Sequence, residues 1–386
     1  MVIGRKQSNI TSYSFLSLPF LQDLGVGAWG YTEDLTAHSF AYFKQWQQSG
    51  ANPFSYLKIH SDERQDLRCI LPQAQSALVF ILPYLKAKLR HQDLTQKAGW
   101  RISGHSMAYD GLDYHFVGKN ALAKIKVALE NDASLQQERL NTANQTLDSN
   151  LPPLNIIAGI DTGPVLEKDL AVRAKLGFIG RHGLLQTPFW GSYVFIAYLI
   201  LGCRLRLPAP SNSYFMFDFN REMASSYCSN CPGFCQQACP VQRWPRNEVS
   251  RCLAGVTIEK DVPITIDQNL HGQILGCDFC QDACPLNQKL LAQVKAESKS
   301  ESDTDVESWP AFSLSNQYRD DFGRQENLLA NQNFCHLFSL SPHEILAQVK
   351  DLSKRGFQKK FKQTILAYIG RDKLVAVLQA ALKNSP

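Results

Sequence analysis

The sequence lacks an apolar run long enough to cross a membrane comfortably. Its most apolar stretch, Phe189 to Cys203, is short and is interrupted by Gly191 and Ser192. A spanning helix needs about 20 consecutive apolar residues, so this stretch is interpreted as a buried strand, or a strand followed by a helix. The first residues, Met1-Val-Ile-Gly-Arg-Lys-Gln, have no apolar region after their charges. We therefore expect no signal peptide, no membrane association and a cytoplasmic protein.

A glycine-rich phosphate-binding fingerprint is also missing. That fingerprint marks Rossmann-type dinucleotide sites, so the sequence gives no support for nicotinamide or flavin binding of that kind. Charge of one sign does not dominate either, because 40 Lys and Arg against 35 Asp and Glu leave a net charge of +5. This charge fits an anionic partner without requiring one. The 386 residues, 44% of them hydrophobic, suffice for two or three globular domains.

Cysteine, in contrast, is concentrated in one segment, and eight of the 11 cysteines lie between residues 228 and 284. They form the runs Cys228-Ser-Asn-Cys231-Pro-Gly-Phe-Cys235-Gln-Gln-Ala-Cys239-Pro240 and Cys277-Asp-Phe-Cys280-Gln-Asp-Ala-Cys284-Pro285, with a lone Cys252 between them. Each run ends in a cysteine that follows its predecessor after three residues and precedes a proline. That ending is typical of bacterial two-cluster ferredoxins.

The spacing predicts two [4Fe-4S] clusters, because the cysteine before each proline binds the other cluster in such modules. The predicted ligands are Cys228, Cys231, Cys235 and Cys284 for the first cluster, and Cys252, Cys277, Cys280 and Cys239 for the second. The gap between Cys231 and Cys235 is one residue longer than usual. Pro232-Gly233 can form a tight turn there, so Cys235 is kept as a ligand.

Zinc and disulfides are the alternatives for these cysteines. Eight thiolates would serve two structural zinc sites, although the twin Cys-Pro endings favour iron and sulfur. Disulfides are disfavoured, because cysteines this close together would close very small loops and no secretory leader is expected. Cys69, Cys203 and Cys335 fall outside the pattern and are interpreted as small buried hydrophobic residues.

Residues 1–215 alternate between helical and strand-like patterns, which predicts an α/β (α+β) domain with helices packed on a sheet. Phe40, Phe43 and Trp46 recur at helical spacing. Ala77–Leu82 and Asn155–Ile160 are short apolar runs and predict buried strands.

Three further segments follow this domain. Residues 216–292 form the predicted iron–sulfur module, 293–308 a polar linker, and 309–386 a C-terminal α-helical domain. The tail contains a capping box at Ser341 and Glu344 and an apolar face on its last helix. Its stretch from Lys354 to Lys362 is basic and interleaved with aromatics. That stretch is either a solvated helix face or a surface that contacts a phosphate backbone.

Asp161 is the leading candidate acid. It follows an apolar strand and begins a Thr-Gly-Pro turn. An acid in such a partly apolar place can have a raised pKa and donate a proton near neutral pH. The alternative is an aspartate that only caps the turn.

Other titratable residues give weaker signals. Asp113-Tyr114-His115 is a small cluster near Gly111, and His182 follows Gly180-Arg181. Arg64 and Arg68 could bind anionic groups. For each of them a surface ion pair or a satisfied core position is the alternative.

Several separated motifs together resemble the epoxyqueuosine reductases, over residues from about 20 to 290. The matching stretches are Ser61-Asp-Glu-Arg64, Tyr109-Asp-Gly-Leu-Asp113-Tyr114-His115, Asp161-Thr-Gly-Pro-Val-Leu-Glu167-Lys168, Leu176-Gly-Phe-Ile-Gly180, Gly191-Ser-Tyr-Val-Phe195, Arg251-Cys252, Thr257-Ile-Glu259 and Gly276-Cys277 through Asn287. The Asp161 motif and the last motif are the specific ones.

The resemblance implies a cobalamin-binding α/β domain, a two-cluster module and a C-terminal helical domain that helps to hold tRNA. It implies a two-electron reduction of the epoxide on a modified guanine, converting epoxyqueuosine to queuosine in tRNA, with Asp161 as the proton donor. An external low-potential electron donor would supply the electrons to what we expect to be a monomer. The residues expected at the cobalamin site are Arg64, Asp113, His115, Asp161, His182, Cys277 and Asp278.

Two further hypotheses remain open. Leu112, Ala254-Gly255 and Leu286 depart from the family's pattern, so a corrinoid reductase of the same build could act on another electrophile, for example a small molecule. A ferredoxin-like electron carrier is the third hypothesis. Asp161 and the Asp113-Tyr114-His115 cluster speak against it, because a carrier needs no proton donor.

Overall fold

A four-stranded antiparallel sheet forms the centre of the fold, with strand order β1-β2-β7-β4. This is a computed structural model, and it describes residues 13–49, 54–85, 88, 100–142, 153–207, 227–244, 248–300 and 325–384. The strands in these residues are β1 Ala28–Thr32, β2 Ser76–Pro83, β3 Arg101–Ile102, β4 Ile156–Ile160, β5 Phe178–Ile179, β6 Leu185–Gln186, β7 Val194–Leu201 and β8 Gln273–Leu275.

Helices surround the sheet, so the fold is mixed α/β, as predicted. In the described residues they are α1 Leu18–Asp23, α2 Phe40–Gln48, α3 Ser61–Gln65, α4 Gly104–Met107, α5 Tyr114–Glu130, α6 Ala133–Thr142, α7 Glu167–Arg173, α8 Phe234–Gln237, α9 Leu253–Ile258, α10 Phe279–Asp282, α11 Pro285–Ser300, α12 Gln325–Phe338, α13 Pro342–Asp351, α14 Lys354–Lys360, α15 Ile365–Ile369 and α16 Arg371–Lys383. The helix predicted from Phe40, Phe43 and Trp46 is confirmed as α2.

The two central strands read as unbroken apolar runs because both faces of the sheet are covered. Along β2, Leu78 and Phe80 belong to one core, which includes the apolar face of α5. Their neighbours Val79 and Ile81 belong to a second core, against α7. The predicted strands at Ala77–Leu82 and within the Phe189–Cys203 stretch are confirmed as β2 and β7.

The strand predicted at Asn155–Ile160 is confirmed as β4, but the prediction that it is buried is wrong. β4 pairs only with β7 in the sheet and lies at its edge. Ile160 is fully buried, whereas Ile156 and Ile157 are half-buried and Ala158 is exposed. An apolar run does not distinguish an edge strand from a central one. Gly118 of α5 allows the helix to approach this edge, because an added Cβ would overlap the Ile160 side chain.

A third core joins residues that the sequence assigned to different domains. It combines Leu253 and Ile274, from the cysteine-rich region, with Phe357 and Leu378 of the tail and with Phe54. β3 also pairs with β8 in parallel, which ties the first part of the chain to the cysteine-rich part. The domain boundaries predicted at 215 and 309 therefore remain predictions, since these segments share one core.

The predicted polar linker at 293–308 begins inside a helix. α11 runs from Pro285 to Ser300, so residues 293–300 are helical and the linker prediction is wrong for them. Leu291 and Val294 pack against the first core, which explains why the helix continues. Residues 301–308 lie outside the described part.

The tail has the predicted helices. At the start of α13 the Glu344 carboxylate accepts the Ser341 backbone N–H at 2.8 Å, as a capping box requires. Leu374 and Leu378 of α16 are buried, as its predicted apolar face implies. In the basic helix α14, Phe357 faces the core while the charged side chains lie outside.

Candidate active site

Asp161 begins a tight turn directly after β4. Its backbone is left-handed, with φ of 55°, and the next N–H, of Thr162, donates to the Ile160 carbonyl at 2.7 Å. The turn lies close against the sheet, because a Cβ on Gly163 would overlap the Tyr198 hydroxyl. A residue other than glycine adopts this backbone conformation at a cost that its surroundings must offset.

The Asp161 carboxylate contacts two side chains from the start of α5. The Tyr114 hydroxyl donates to Oδ2, and His115 Nε2 lies 3.5 Å from the same oxygen. Although protein surrounds it on several sides, the Asp161 side chain keeps 57% of its surface exposed. More than half of the side chain is therefore open to solvent, so a substrate could reach the carboxylate.

The expected raised pKa of Asp161 is wrong for this state of the site. Partial burial alone would raise the pKa, but hydrogen bonds from His115 and Tyr114 and the charges of His115 and Lys168 lower it below the ordinary value. Because these partners favour the ionised form, Asp161 is a carboxylate at neutral pH when no substrate is present.

His115 lies between two carboxylates. Asp113 caps α5 and accepts the His115 backbone N–H at 2.8 Å, and the same oxygen lies 2.7 Å from the ring Nδ1. Burial would lower the pKa of His115, but hydrogen bonding to Asp113 and Asp161 raises it to about 9. The ring is therefore protonated at neutral pH, with one N–H toward each aspartate.

Glu167, in the first turn of α7, holds the backbone of the turn. Its Oε1 accepts the Asp161 N–H at 2.5 Å. Burial, and then repulsion by the Asp161 charge, hold the pKa of Glu167 well above its ordinary value. The pKa values of these two carboxyl groups are thus shifted in opposite directions, a pattern typical of acid–base sites.

Arg64 is nearly buried on α3, although its residue type favours the surface. Its Nη2 donates to the Tyr56 carbonyl at 3.3 Å, and its guanidinium lies 5.7 Å from the centre of the Phe43 ring. The Nε–H has no hydrogen-bond partner among the described residues. A buried and unpaired donor of this kind is costly, so it marks a place where a polar ligand group could be accommodated.

One cavity, of about 100 Å³, is lined by four cysteines from both runs: Cys228, Cys231, Cys235 and Cys284. The first run has one extra residue between Cys231 and Cys235. The chain turns there at Gly233, which has a left-handed backbone with φ of 84° and directly precedes α8. Arg181 braces this loop, because its guanidinium donates to the carbonyls of Cys228 and Cys231 at 2.6 and 3.0 Å. We call this space the cysteine cavity.

His182 also lines the cysteine cavity. It is buried, and its Nδ1 accepts the Leu184 backbone N–H at 3.1 Å. Burial lowers the pKa of His182 to about 4. The ring is therefore neutral and presents its remaining N–H at Nε2.

The other cysteines include a second group, made up of Cys252, Cys277 and Cys280. Burial raises the pKa of Cys280 to about 12, and the nearby thiol of Cys252 adds to the effect. Burial and the same neighbour raise the pKa of Cys277. The assignment of Cys239 to this group remains a prediction.

Asp278 is buried beside Cys277 and is fully engaged within the protein. Lys88 Nζ lies 2.6 Å from its Oδ2, and the Gly104 N–H donates to the same oxygen at 2.7 Å. Burial would raise the pKa of Asp278, but the Lys88 charge lowers it. Lys88 also contacts Asp282 at 2.6 Å. His105 lies within the electrostatic reach of both Asp278 and Asp161, so the two predicted parts of the site are neighbours.

Sequence reasoning missed several of these contacts. It assigned no role to Lys88 or His105, and no local pattern points to them. Glu167 was visible only as part of the Asp161 motif. Tyr368, from α15, donates to Glu259 at 2.8 Å, and both lie near enough to Asp161 for its charge to affect them.

The described residues contain no group of three or more His, Cys, Asp or Glu side chains placed to hold a single metal ion. In the same ranges, no helix has the length and apolarity that crossing a membrane would need.

Comparison with known proteins decides the family. The epoxyqueuosine reductase of Synechocystis sp. is 32% identical over 233 residues, which cover 59% of this chain and 68% of that protein. The chain belongs to the epoxyqueuosine reductase family. The members of this family are oxidoreductases. A scan against protein-family models gave no match.

Solved structures of epoxyqueuosine reductases share the fold. The enzyme from Streptococcus thermophilus aligns with a TM-score of 0.61 at 20% identity, over 95% of this chain and 80% of that one. A second epoxyqueuosine reductase aligns with a TM-score of 0.57 at 18% identity, also over 95% of this chain and 80% of that one. That enzyme was crystallised with an epoxyqueuosine-modified tRNA-Tyr stem loop.

Proposed function

We propose that this protein reduces epoxyqueuosine to queuosine in tRNA, with Asp161 as the proton donor to the departing epoxide oxygen. The observation that carries the proposal is the Asp161 carboxylate, which is more than half exposed and is contacted on one oxygen by Tyr114 and His115. A general acid must be within reach of the oxygen that it protonates. An exposed carboxylate with two hydrogen-bonding partners meets that requirement.

The cysteine cavity supports a [4Fe-4S] cluster on Cys228, Cys231, Cys235 and Cys284. These four cysteines line one cavity, as the ligands of a single cubane would. The Arg181 backbone N–H points at the Cys228 sulfur from 3.4 Å, and a donor to a cluster sulfur is a common way to adjust its potential. The second cluster would use Cys252, Cys277, Cys280 and Cys239.

Cobalamin is the second proposed cofactor. When bound, it supplies a reduced cobalt that can collect two electrons and react with the epoxide. The unpaired Nε–H of Arg64 would donate to an acceptor of the corrin, and His182 and Asp113 would lie near it. The Asp278 carboxylate already binds Lys88 and the Gly104 N–H. Asp278 would therefore contact the corrin through its backbone, or indirectly through Lys88.

The basic helix α14 is the proposed tRNA contact. Arg355 and Lys359 are exposed on it, whereas Lys354 is paired with Asp372 at 2.6 Å and Lys360 is half-buried. Contacts to phosphates make binding salt-dependent, with a slope near −0.9 per contact on a duplex. Two such contacts would therefore contribute about two units of slope.

The decisive experiment compares wild-type protein with Asp161→Asn, both prepared without air and loaded with iron and cobalamin. Turnover of epoxyqueuosine-containing tRNA is followed by mass spectrometry of the nucleosides. We expect Asp161→Asn to keep its iron and cobalt content while product formation falls by at least about 100-fold. Unchanged turnover would remove Asp161 from its role.

A binding experiment separates tRNA from a small-molecule substrate. Arg355→Gln combined with Lys359→Gln should weaken tRNA binding in a gel shift and flatten its salt dependence. The matched control neutralises Lys44 and Lys126, which lie on α2 and α5. Equal binding by both double variants would argue against α14, and absence of tRNA binding by the wild type would favour the small-molecule alternative.

A further inference from the structure

The proposed reaction needs more protons than one carboxylic acid holds. Removal of an epoxide oxygen as water consumes two electrons and two protons and leaves a carbon–carbon double bond. The electrons come from the external low-potential donor of the proposed function, on which this inference rests. Both protons must reach one oxygen atom, and Asp161 carries none in the resting site, because its partners keep it ionised.

His115 is placed to supply these protons. Its Nε2 lies 3.5 Å from the Asp161 Oδ2, and its Nδ1 lies 2.7 Å from Asp113. The Asp113 contact fixes the ring, so that the second N–H points to Asp161. The His115 side chain is 24% exposed, so water can return a proton to it after each transfer.

We propose that His115, oriented by Asp113, is the proton source that loads Asp161 for both protonation steps. In each step the Nε2–H bond of His115 breaks and an O–H bond forms on Asp161. Asp161 then gives that proton to the substrate oxygen and returns to a carboxylate. His115 takes up a proton from water, so that two cycles deliver the two protons and restore the starting state.

The neighbouring groups are poorer sources. Tyr114 also contacts the Asp161 carboxylate, but burial, followed by the charge of Asp161, holds its pKa well above its ordinary value. Glu167 has a raised pKa, yet its hydrogen bond is to the Asp161 backbone. Lys168 is directed to the Gly183 carbonyl, at 2.7 Å. His115 combines an ionised ring with an ion-pair distance to the reacting carboxylate.

Substrate binding would drive the transfer. In the free protein, water stabilises the exposed Asp161 charge. A substrate that covers the Asp161 carboxylate removes this water and disfavours the ionised pair. A neutral imidazole and a neutral carboxylic acid are then favoured, so Asp161 is protonated only when the substrate is present.

The first test follows the protonation of His115 without turnover. NMR of holoprotein with ¹⁵N-labelled histidine is recorded against pH, and His115→Gln identifies the signal among nine histidines. We expect the His115 ring to stay protonated past pH 8, and Asp113→Asn to lower its midpoint by at least one unit. A ring that is neutral at pH 7 in the wild type would overturn the relay.

The second test is the pH dependence of single-turnover product formation. His115→Gln should slow it by about 100-fold or more, and added imidazole buffer should restore part of the rate. The matched control is His38→Gln, which removes a histidine that is 2.6 Å from Asp34 on the surface and should leave rate and pH profile unchanged. A merely structural role of His115 would not give acid-dependent rescue.

The outcomes separate the relay from the proposed function. Retained rate and pH profile in His115→Gln, with Asp161→Asn inactive, would overturn the relay alone. No product from fully loaded wild-type protein would overturn the proposed function and the relay with it.

Discussion

Glu167 should control how well Asp161 is presented to its substrate. The left-handed backbone of Asp161 costs about 1–3 kcal/mol for a residue other than glycine. The hydrogen bond from its N–H to Glu167 Oε1 offsets about 1.4 kcal/mol of that cost, at the upper end for a single hydrogen bond. Glu167→Ala removes this acceptor, so we expect a loss of about 1.4 kcal/mol, which corresponds to about a tenfold lower single-turnover rate.

Glu167→Gln is the informative partner variant. Burial and the Asp161 charge raise the pKa of Glu167 and so favour its neutral form. An uncharged amide has a similar shape and still offers a carbonyl oxygen to the Asp161 N–H. We expect the glutamine variant to stay within about threefold of the wild-type rate, while alanine falls about tenfold. Substrate affinity should change little in either variant, because Glu167 acts through the position of Asp161.

Single-turnover rates with saturating reductant and tRNA measure this directly, and circular dichroism checks that each variant is folded. Equal losses in both variants would mean that the proton or the charge of Glu167 matters, not its acceptor. Wild-type rates in Glu167→Ala would refute the view that this hydrogen bond holds the turn.

Three further outcomes follow from other contacts. The pKa of His115 is about 9 in the folded protein and about 6.5 in an unfolded chain. Protonation of His115 therefore stabilises the fold fully below about pH 6.5, and this stabilisation is lost as the pH rises through about 9. Urea denaturation against pH should show this loss in the wild type and not in His115→Gln. Lys88→Met leaves the buried Asp278 carboxylate without its counter-ion, although the Gly104 N–H still donates to it. This substitution should lower the free energy of unfolding by about 3–5 kcal/mol, and Lys88→Met with Asp278→Asn should restore part of that loss. Gly233→Ala strains a φ of 84° and should lower the bound iron per chain, measured colorimetrically.

The sequence predicted the local elements well, because their causes are local. The apolar runs that became β2 and β7 fill cores on both faces of the sheet, and the capping residues of α13 are neighbours in the chain. β4 has a similar apolar run and nevertheless lies at an edge. Its partly exposed surface depends on which strand lies beside it, and a single sequence does not contain that information.

The chemistry of Asp161 shows the same limit more sharply. Its place after a strand was predicted correctly, but its pKa direction was not. The groups that lower the pKa, Tyr114 and His115, lie 47 and 46 residues earlier in the chain. Lys88 similarly meets Asp278 across 190 residues. Burial can be guessed from a pattern, whereas the partners of a buried charge come from tertiary folding.

The tail contacts the candidate site directly, which connects the proposed tRNA surface to its chemistry. The Asp113 N–H donates to the Gln363 carbonyl at 2.8 Å, and Leu112 bridges to Thr364. Asp113 is the residue that orients His115, and Gln363 follows the basic helix α14 by a few residues. Two backbone contacts therefore connect the segment after α14 to the carboxylate that fixes the His115 ring. The shared core of Leu253, Phe357 and Leu378 makes the tail part of the same packed unit, so the segment proposed to bind tRNA also supports the proposed proton source.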